Sequence, residues 1–123
     1  MKKNILFIED ESALQRALGD VVRSNGYTVQ QALNGDDGLR MAKSEHPDLI
    51  LLDLVLPQKD GFEVLSTIHD DPELSNIPVI VLTNLESPEE VEKALSLGAR
   101  TYLVKAHYSL EEVLTKIKQT IGE

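Results

Sequence analysis

Cysteine is absent from the 123-residue chain, which excludes disulfides and thiolate metal sites and fits a reducing compartment. Long apolar runs are absent as well: none approaches the ~18 residues of a membrane span. Met1-Lys2-Lys3-Asn4 leads into an apolar stretch too short for a signal peptide, so a cytoplasmic protein with no membrane contact is expected. Basic residues are scarce. Twelve Lys and Arg stand against 21 Asp and Glu, a formal net charge of −9, and direct nucleic-acid binding needs a basic footprint. No internal repeat, low-complexity segment or interdomain linker interrupts the chain. With 41% hydrophobic and 27% charged residues, the composition is that of one ordinary globular domain, 1–123, able to bury a core.

What the chain has instead is a series of short apolar runs. Ile5-Leu6-Phe7-Ile8 and Leu49-Ile50-Leu51-Leu52 are continuous rather than alternating, the pattern of strands buried on both faces. Strands are predicted at Asn4–Ile8, Tyr27–Gln31, Asp48–Asp53, Val79–Leu82 and Ala99–Val104. The Asp48–Asp53 run is the most hydrophobic and therefore central, while Tyr27–Gln31 suits a sheet edge. Ser12 is expected to cap a helix that carries Leu14, Ala17, Leu18, Val21 and Val22 and stops at Asn25-Gly26. Asn34-Gly35 opens a helix that Pro47 ends, and a loop with Pro57 and Asp60-Gly61 precedes a short helix over Phe62–Ile68. Ser87-Pro88-Glu89-Glu90 is a capping box with proline in the first turn, and its helix stops at Gly98. Ser109 caps the last helix, whose Leu110, Val113, Leu114, Ile117 and Ile121 share one face. These β–α units have connections too long for hairpins. They imply an α/β fold: a five-stranded parallel sheet, helices on both faces, right-handed crossovers.

Four of the predicted strands end in residues that carry chemistry. The first supplies Glu9 and Asp10, the third Asp53, the fourth Thr83 and the fifth Lys105. Any one of them has an ordinary explanation, since acids after strands cap helices and most lysines are solvated. Their coincidence points to a site, because ligands bind at the carboxyl edge of open α/β sheets. Clustered carboxylates repel: two unit charges ~5 Å apart at an effective dielectric of ~20 cost roughly 3 kcal/mol. A cation is therefore expected among them. Hard oxygen ligands suit Mg²⁺ (or Mn²⁺), which uses few carboxylates and commonly a substrate phosphate, and the isolated His46, His69 and His107 offer no softer cluster. Glu9, Asp10 and Asp53 sum to −3 and Lys105 with Mg²⁺ to +3, so the loaded pocket would not repel a phosphoryl group. A carboxylate can itself attack phosphorus and form an aspartyl phosphate.

The acidic pair Glu9-Asp10, the segment Asp53-Leu54-Val55-Leu56-Pro57-Gln58-Lys59-Asp60-Gly61, the strand-end Thr83, and Gly98-Ala99 leading to Tyr102 and Lys105 together resemble the receiver domain of the two-component response regulators, the chemotaxis-regulator-like kind. The resemblance spans the entire chain, and Asp53 through Gly61 meets the family pattern D-x-x-[ML]-P-x-x-[DN]-G in full. It implies a flavodoxin-like, doubly wound sheet of order 2-1-3-4-5. It further implies that Asp53 takes a phosphoryl group from a histidine kinase or histidine phosphotransfer protein. Asp10 and Asp53 would ligate Mg²⁺, with Glu9 contributing through water and the Val55 backbone carbonyl completing the protein ligands. Lys105 would pair with Asp53 and then with the phosphoryl oxygens, Thr83 would be the switch hydroxyl, and Tyr102 the aromatic that moves with it. The output surface would be the Pro88–Leu97 helix, the Ala99–Val104 strand and the Ser109–Ile121 helix. Such a domain catalyses only its own phosphotransfer and dephosphorylation and is not otherwise an enzyme.

Two features depart from the commonest pattern. Many receivers have proline, with a cis bond, directly after the lysine, where this chain has Ala106. A cis bond costs about 2.5–4 kcal/mol before alanine against about 0.5–1 before proline, which leaves the isomer of the Lys105–Ala106 bond open. Val55 and Leu85, two residues beyond Asp53 and Thr83, are both apolar; neither can orient a hydrolytic water, so a long-lived aspartyl phosphate is expected. Three other readings compete. A haloacid-dehalogenase-type phosphatase wants a second Asp where Val55 stands. A flavodoxin-like cofactor carrier needs a Ser/Thr/Gly-rich first loop, where Glu9-Asp10-Glu11 would repel phosphate. A degenerate receiver, acting as a phosphorylation-independent interaction module, is the remaining alternative, although that class loses the acceptor, the acidic pair or the lysine, and all are present here.

Overall fold

A computed structural model describes residues 2–122; Met1 and Glu123, the outermost positions of the expected 1–123 domain, lie outside the described residues. Strands β1 (Asn4–Ile8), β2 (Thr28–Ala32), β3 (Leu49–Leu52), β4 (Val79–Thr83) and β5 (Thr101–Val104) form one parallel sheet in the order β2-β1-β3-β4-β5. Helices α1 (Ser12–Ser24), α2 (Gly35–Glu45), α3 (Gly61–Asp70), α4 (Pro88–Ser96) and α5 (Leu110–Ile121) follow them, with a 3₁₀ turn at Lys105–His107. The doubly wound α/β class and its strand order agree with the sequence reading, and the most hydrophobic run is the central strand. No helix among the described residues is long and apolar enough to cross a membrane.

The continuous apolar runs follow from the pleat, which sends alternate side chains to opposite faces. Phe7, Leu51 and Leu82 pack with Leu18 and Val22 of α1 and Ile117 of α5. Leu6, Leu52 and Val81 pack on the other face with Ala42 of α2, Leu65 of α3 and Ala94 of α4. Each wholly buried Leu, Ile or Phe stabilises the fold by ~1.5–3 kcal/mol, so the two faces rather than the sheet edges hold it together. The chain steps from β1 out to β2, then reverses through β3, β4 and β5. At constant crossover hand this reversal puts α1 on the face opposite α2, α3 and α4. It also opens a crevice beyond the carboxyl ends of β1 and β3.

Three local expectations are corrected. Ser12 is not a cap: Glu11 takes the N-cap position without a side-chain cap bond, Ser12 begins the helix, and Ala17 on it is exposed. β2 starts at Thr28 rather than Tyr27, whose N–H still closes α1 on Val22 O (3.4 Å). β5 starts at Thr101 rather than Ala99, because the Ala99 N–H turns back to Ala94 O (3.1 Å). The Lys105–Ala106 bond is trans, and no cis bond occurs among the described residues.

Candidate functional site

Register puts Ile8 opposite Leu52, so Glu9 and Asp53 leave the sheet side by side. The Asp53 N–H donates to Ile8 O and the Glu9 N–H to Ala32 O, each at 3.0 Å, which carries both ladders one step past the strands. One carboxylate oxygen from each of Glu9, Asp10 and Asp53 lies within 4.8 Å of the others, with Glu9 and Asp53 buried and Asp10 exposed. Lys105 reaches into this group from the end of β5. Its Nζ lies 2.8 Å from Asp53 Oδ2, 2.7 Å from Glu9 Oε1 and 3.4 Å from Glu11 Oε1. The Val55 N–H donates to Asp53 Oδ1 at 3.1 Å, so both acceptor oxygens of Asp53 are held. Asp10, Asp53, Val55, Asn84 and Lys105 line an open cleft of about 280 Å³.

The Asp53-to-Gly61 spacing has a steric reason. The loop doubles back so that the Gly61 N–H donates to Leu54 O at 3.0 Å. A Cβ on Gly61 would stand 2.3 Å from Leu54 Cα and 2.6 Å from Asp53 O, main-chain atoms that cannot rotate away. Asp60 then caps α3 by accepting the Phe62 N–H at 2.8 Å. Glycine is what allows α3 to start against the turn that carries the acid.

Electrostatically the cluster is short of positive charge. Removal from water pushes the Glu9 carboxyl up to about 7; its bond to Lys105 pulls it down and the Asp53 charge pushes it further up. Burial works against the Lys105 ammonium, but hydrogen bonds and charges from Asp53 and Glu9 outweigh that and raise its pKa. Glu9 Oε1 is buried and has the Lys105 ammonium, 2.7 Å away, as its partner. Three carboxylates with ligand oxygens within 4.8 Å of one another, two of the residues buried and one ammonium shared among them, fit a divalent cation such as Mg²⁺.

Thr83 and Tyr102 form a neighbouring group rather than part of the cleft wall. Thr83 is wholly buried and its Oγ1 accepts the Leu85 N–H at 3.4 Å. Half-buried Tyr102 donates its hydroxyl to Leu85 O at 2.7 Å. The two side chains therefore hold opposite sides of one residue. Burial, then the charges of Glu90 and Asp53, raise the Tyr102 phenol above its usual range. Of the two apolar residues singled out for dephosphorylation, Val55 is 55% exposed beside the cleft, whereas Leu85 packs on the core.

Glu9, Asp10, Asp53, Val55 and Lys105 thus converge as the sequence reading groups them. That reading misses Glu11 as a Lys105 partner and Asn84 as a lining residue. The available signal was position, since each directly follows a selected strand-end residue, Asp10 and Thr83.

Comparison with known proteins agrees with this geometry. The family profile described as response regulator receiver domain matches residues 5–118. The polar-differentiation response regulator DivK of Brucella ovis is 32% identical over 123 residues, covering 100% of this chain and 99% of that protein. A response regulator receiver domain protein (CheY-like) from Methanospirillum hungatei JF-1 superposes with a TM-score of 0.92 at 28% identity, over 98% of this chain and 94% of that one. The receiver domain of sensor histidine kinase PA1611 from Pseudomonas aeruginosa PAO1 gives a TM-score of 0.89 at 28% identity, covering 100% of both chains. That structure has a magnesium ion coordinated in its active site cleft.

Proposed function

Because the chain belongs to the response regulator receiver family, we propose that Asp53 accepts a phosphoryl group from a phosphohistidine on a histidine kinase or histidine phosphotransfer protein. The observation that carries this reading is the buried Asp53 carboxylate, 2.8 Å from the Lys105 ammonium and grouped with Glu9 and Asp10. An Asp53 oxygen attacks phosphorus, the N–P bond breaks with its electron pair returning to the imidazole, and an aspartyl phosphate forms. Lys105 moves its pairing from Asp53 to the phosphoryl oxygens. Asp10, Asp53 and the Val55 carbonyl would hold Mg²⁺, with Glu9 contributing through water. The ion, when bound, offsets the acidic charge that otherwise repels the donor. The chain in this reading is one receiver domain, 1–123, working in the cytoplasm on protein partners.

The switch runs through Leu85. Drawing the Thr83 hydroxyl toward a phosphoryl oxygen releases the Leu85 N–H, and the Leu85 carbonyl is what holds Tyr102. The change passes to the face made by α4, β5 and α5. Helix α4 is loosely committed to that face, since Ala94 is its one buried residue and Leu95 is 48% exposed. A few kcal/mol of differential binding by the phosphoryl group is enough for such a population shift. Glu86, Glu89, Glu90 and Glu92 around the start of α4 suit a partner with basic groups.

Treatment with acetyl phosphate and Mg²⁺, followed on a phosphate-affinity gel, tests the reading. A retarded band is expected for the wild type and none for Asp53→Asn or in EDTA. An undiminished band in Asp53→Asn refutes the acceptor, and no band in the wild type leaves the phosphorylation-independent interaction module.

A further inference from the structure

Helix α1 buries a polar side chain that the phosphotransfer scheme does not use. Gln15 is 3% exposed. Its Nε2 lies 2.7 Å from Glu9 O, 2.7 Å from Ala32 O and 3.3 Å from Phe7 O. An amide nitrogen has two hydrogens, so the two short bonds go to Glu9 and Ala32 and Phe7 shares one of them. A leucine would fill this place with no polar group to satisfy, which makes the amide worth explaining.

The acceptors are the informative part. The Glu9 carbonyl belongs to the peptide unit that joins Glu9 to Asp10, the two acids contributed by β1. The Ala32 carbonyl also accepts the Glu9 N–H at 3.0 Å. One side of the Glu9 main chain is thus held by Gln15, and the other by an atom that Gln15 also holds. The start of α1 contributes the Glu11 N–H, which donates to Glu9 Oε2 at 3.0 Å, but Glu11 as N-cap makes no side-chain cap bond. Gln31 of β2 steadies the arrangement by donating to Gln15 O at 3.1 Å.

We propose that Gln15 is a positioning residue for the acidic pair. By fixing the Glu9–Asp10 peptide to the end of β2, it keeps the Glu9 and Asp10 carboxylates aimed at the crevice against repulsion from Asp53, and so sets the affinity for the divalent cation. The inference rests on reading the cluster as a Mg²⁺ site, and its test is arranged so that the two can fail separately.

The experiment compares the wild-type 123-residue chain with Gln15→Leu, Gln15→Asn and Val113→Ala, the last a core truncation on α5 that lowers stability away from the crevice. Mg²⁺ affinity is read by calorimetry. Exchange of the Glu11 amide, which donates to Glu9 Oε2 at 3.0 Å, is read by NMR in metal-free protein. Gln15→Leu is expected to weaken Mg²⁺ binding about 10-fold, as loss of an outer-sphere partner typically does, and to speed Glu11 exchange. Gln15→Asn, one methylene short, should show a smaller loss in the same direction, and it carries the test if the leucine variant fails to fold. Val113→Ala should change neither readout. Wild-type affinity and exchange in both Gln15 variants, or equal losses in Val113→Ala, overturn the proposal and leave Gln15 a structural fixture of α1. Absence of Mg²⁺ binding by the wild type overturns the reading of the site instead, and Glu11 exchange alone then decides whether Gln15 positions Glu9.

Discussion

Among the described residues all five α-helices begin at the same edge of the sheet, yet four start with a side-chain cap and one does not. Asn34 caps α2 and Asp60 caps α3, while Ser87 with Glu90 and Ser109 with Glu112 form complete capping boxes on α4 and α5. At α1 three acids precede the helix and none caps it through its side chain. Asp10 faces the cleft, Glu9 is buried beside Lys105, and Glu11 reaches the same lysine. A cap is worth ~1 kcal/mol, so stability available at this junction has gone unused. The contrast sets apart the β1–α1 turn, where Glu9, Asp10 and Glu11 crowd the cleft instead of capping their helix, from four junctions whose helices are capped by side chains.

The strongest way to break the contrast is to disturb the turn that holds Asp53. Gly61→Ala sets a Cβ against main-chain atoms of Leu54 and Asp53, and a loss of about 2–4 kcal/mol is expected in urea melts. Phosphorylation should fall more than stability, because the displaced atoms carry the acceptor. A Gly61→Ala protein as stable as the wild type would show that the turn is softer than described.

A second test sharpens the comparison through pH. Glu9 has an ordinary carboxyl value of 4.5 and about 7 in the folded chain. Between those values the folded chain keeps a proton that the unfolded chain has lost, so metal-free stability falls as pH rises through this window. The total is on the order of 3 kcal/mol. Urea midpoints in EDTA across the window should decline for the wild type and flatten for Glu9→Gln. An unchanged slope in that variant would assign the decline elsewhere.

The capped junctions give the smallest effects. Ser87→Ala and Ser109→Ala should each cost ~1 kcal/mol, and Ser12→Ala should cost only a few tenths. Equal losses at all three serines, measured by thermal unfolding, would mean that α1 is capped after all.

Much of this division was legible in the sequence, for identifiable reasons. Continuous apolar runs identify strands buried on both faces, and the richest of them, Leu49 to Leu52, lies at the centre of the sheet. Ser87 and Ser109 were readable as caps because each has its glutamate three residues on. Ser12 misled because the hydroxyl is the right type, whereas Glu11, which takes the cap position, turns its side chain to Lys105 and makes no cap bond. The raised Glu9 carboxyl could not be read, since it depends on how much water the fold removes. Nor could the joint hold of Thr83 and Tyr102 on Leu85, which depends on main-chain direction after β4. Gln15 did leave a trace: with Leu18 and Val22 it shares the i, i+3, i+7 spacing of the buried face of α1. A polar residue in that register marks a hydrogen-bonding task.

The central claim is that the β1–β3 crevice is strained by its own charge until a divalent cation enters. Unfolding midpoints of the wild type and Asp10→Ala, measured near pH 8 in EDTA and then with rising Mg²⁺, test it most directly. The wild type should gain stability as RT ln(1 + [Mg²⁺]/Kd). Asp10→Ala should start out more stable than the wild type in EDTA and gain nothing from the ion. A wild type indifferent to Mg²⁺, or an Asp10→Ala protein that is less stable without metal and still stabilised by it, would contradict the account.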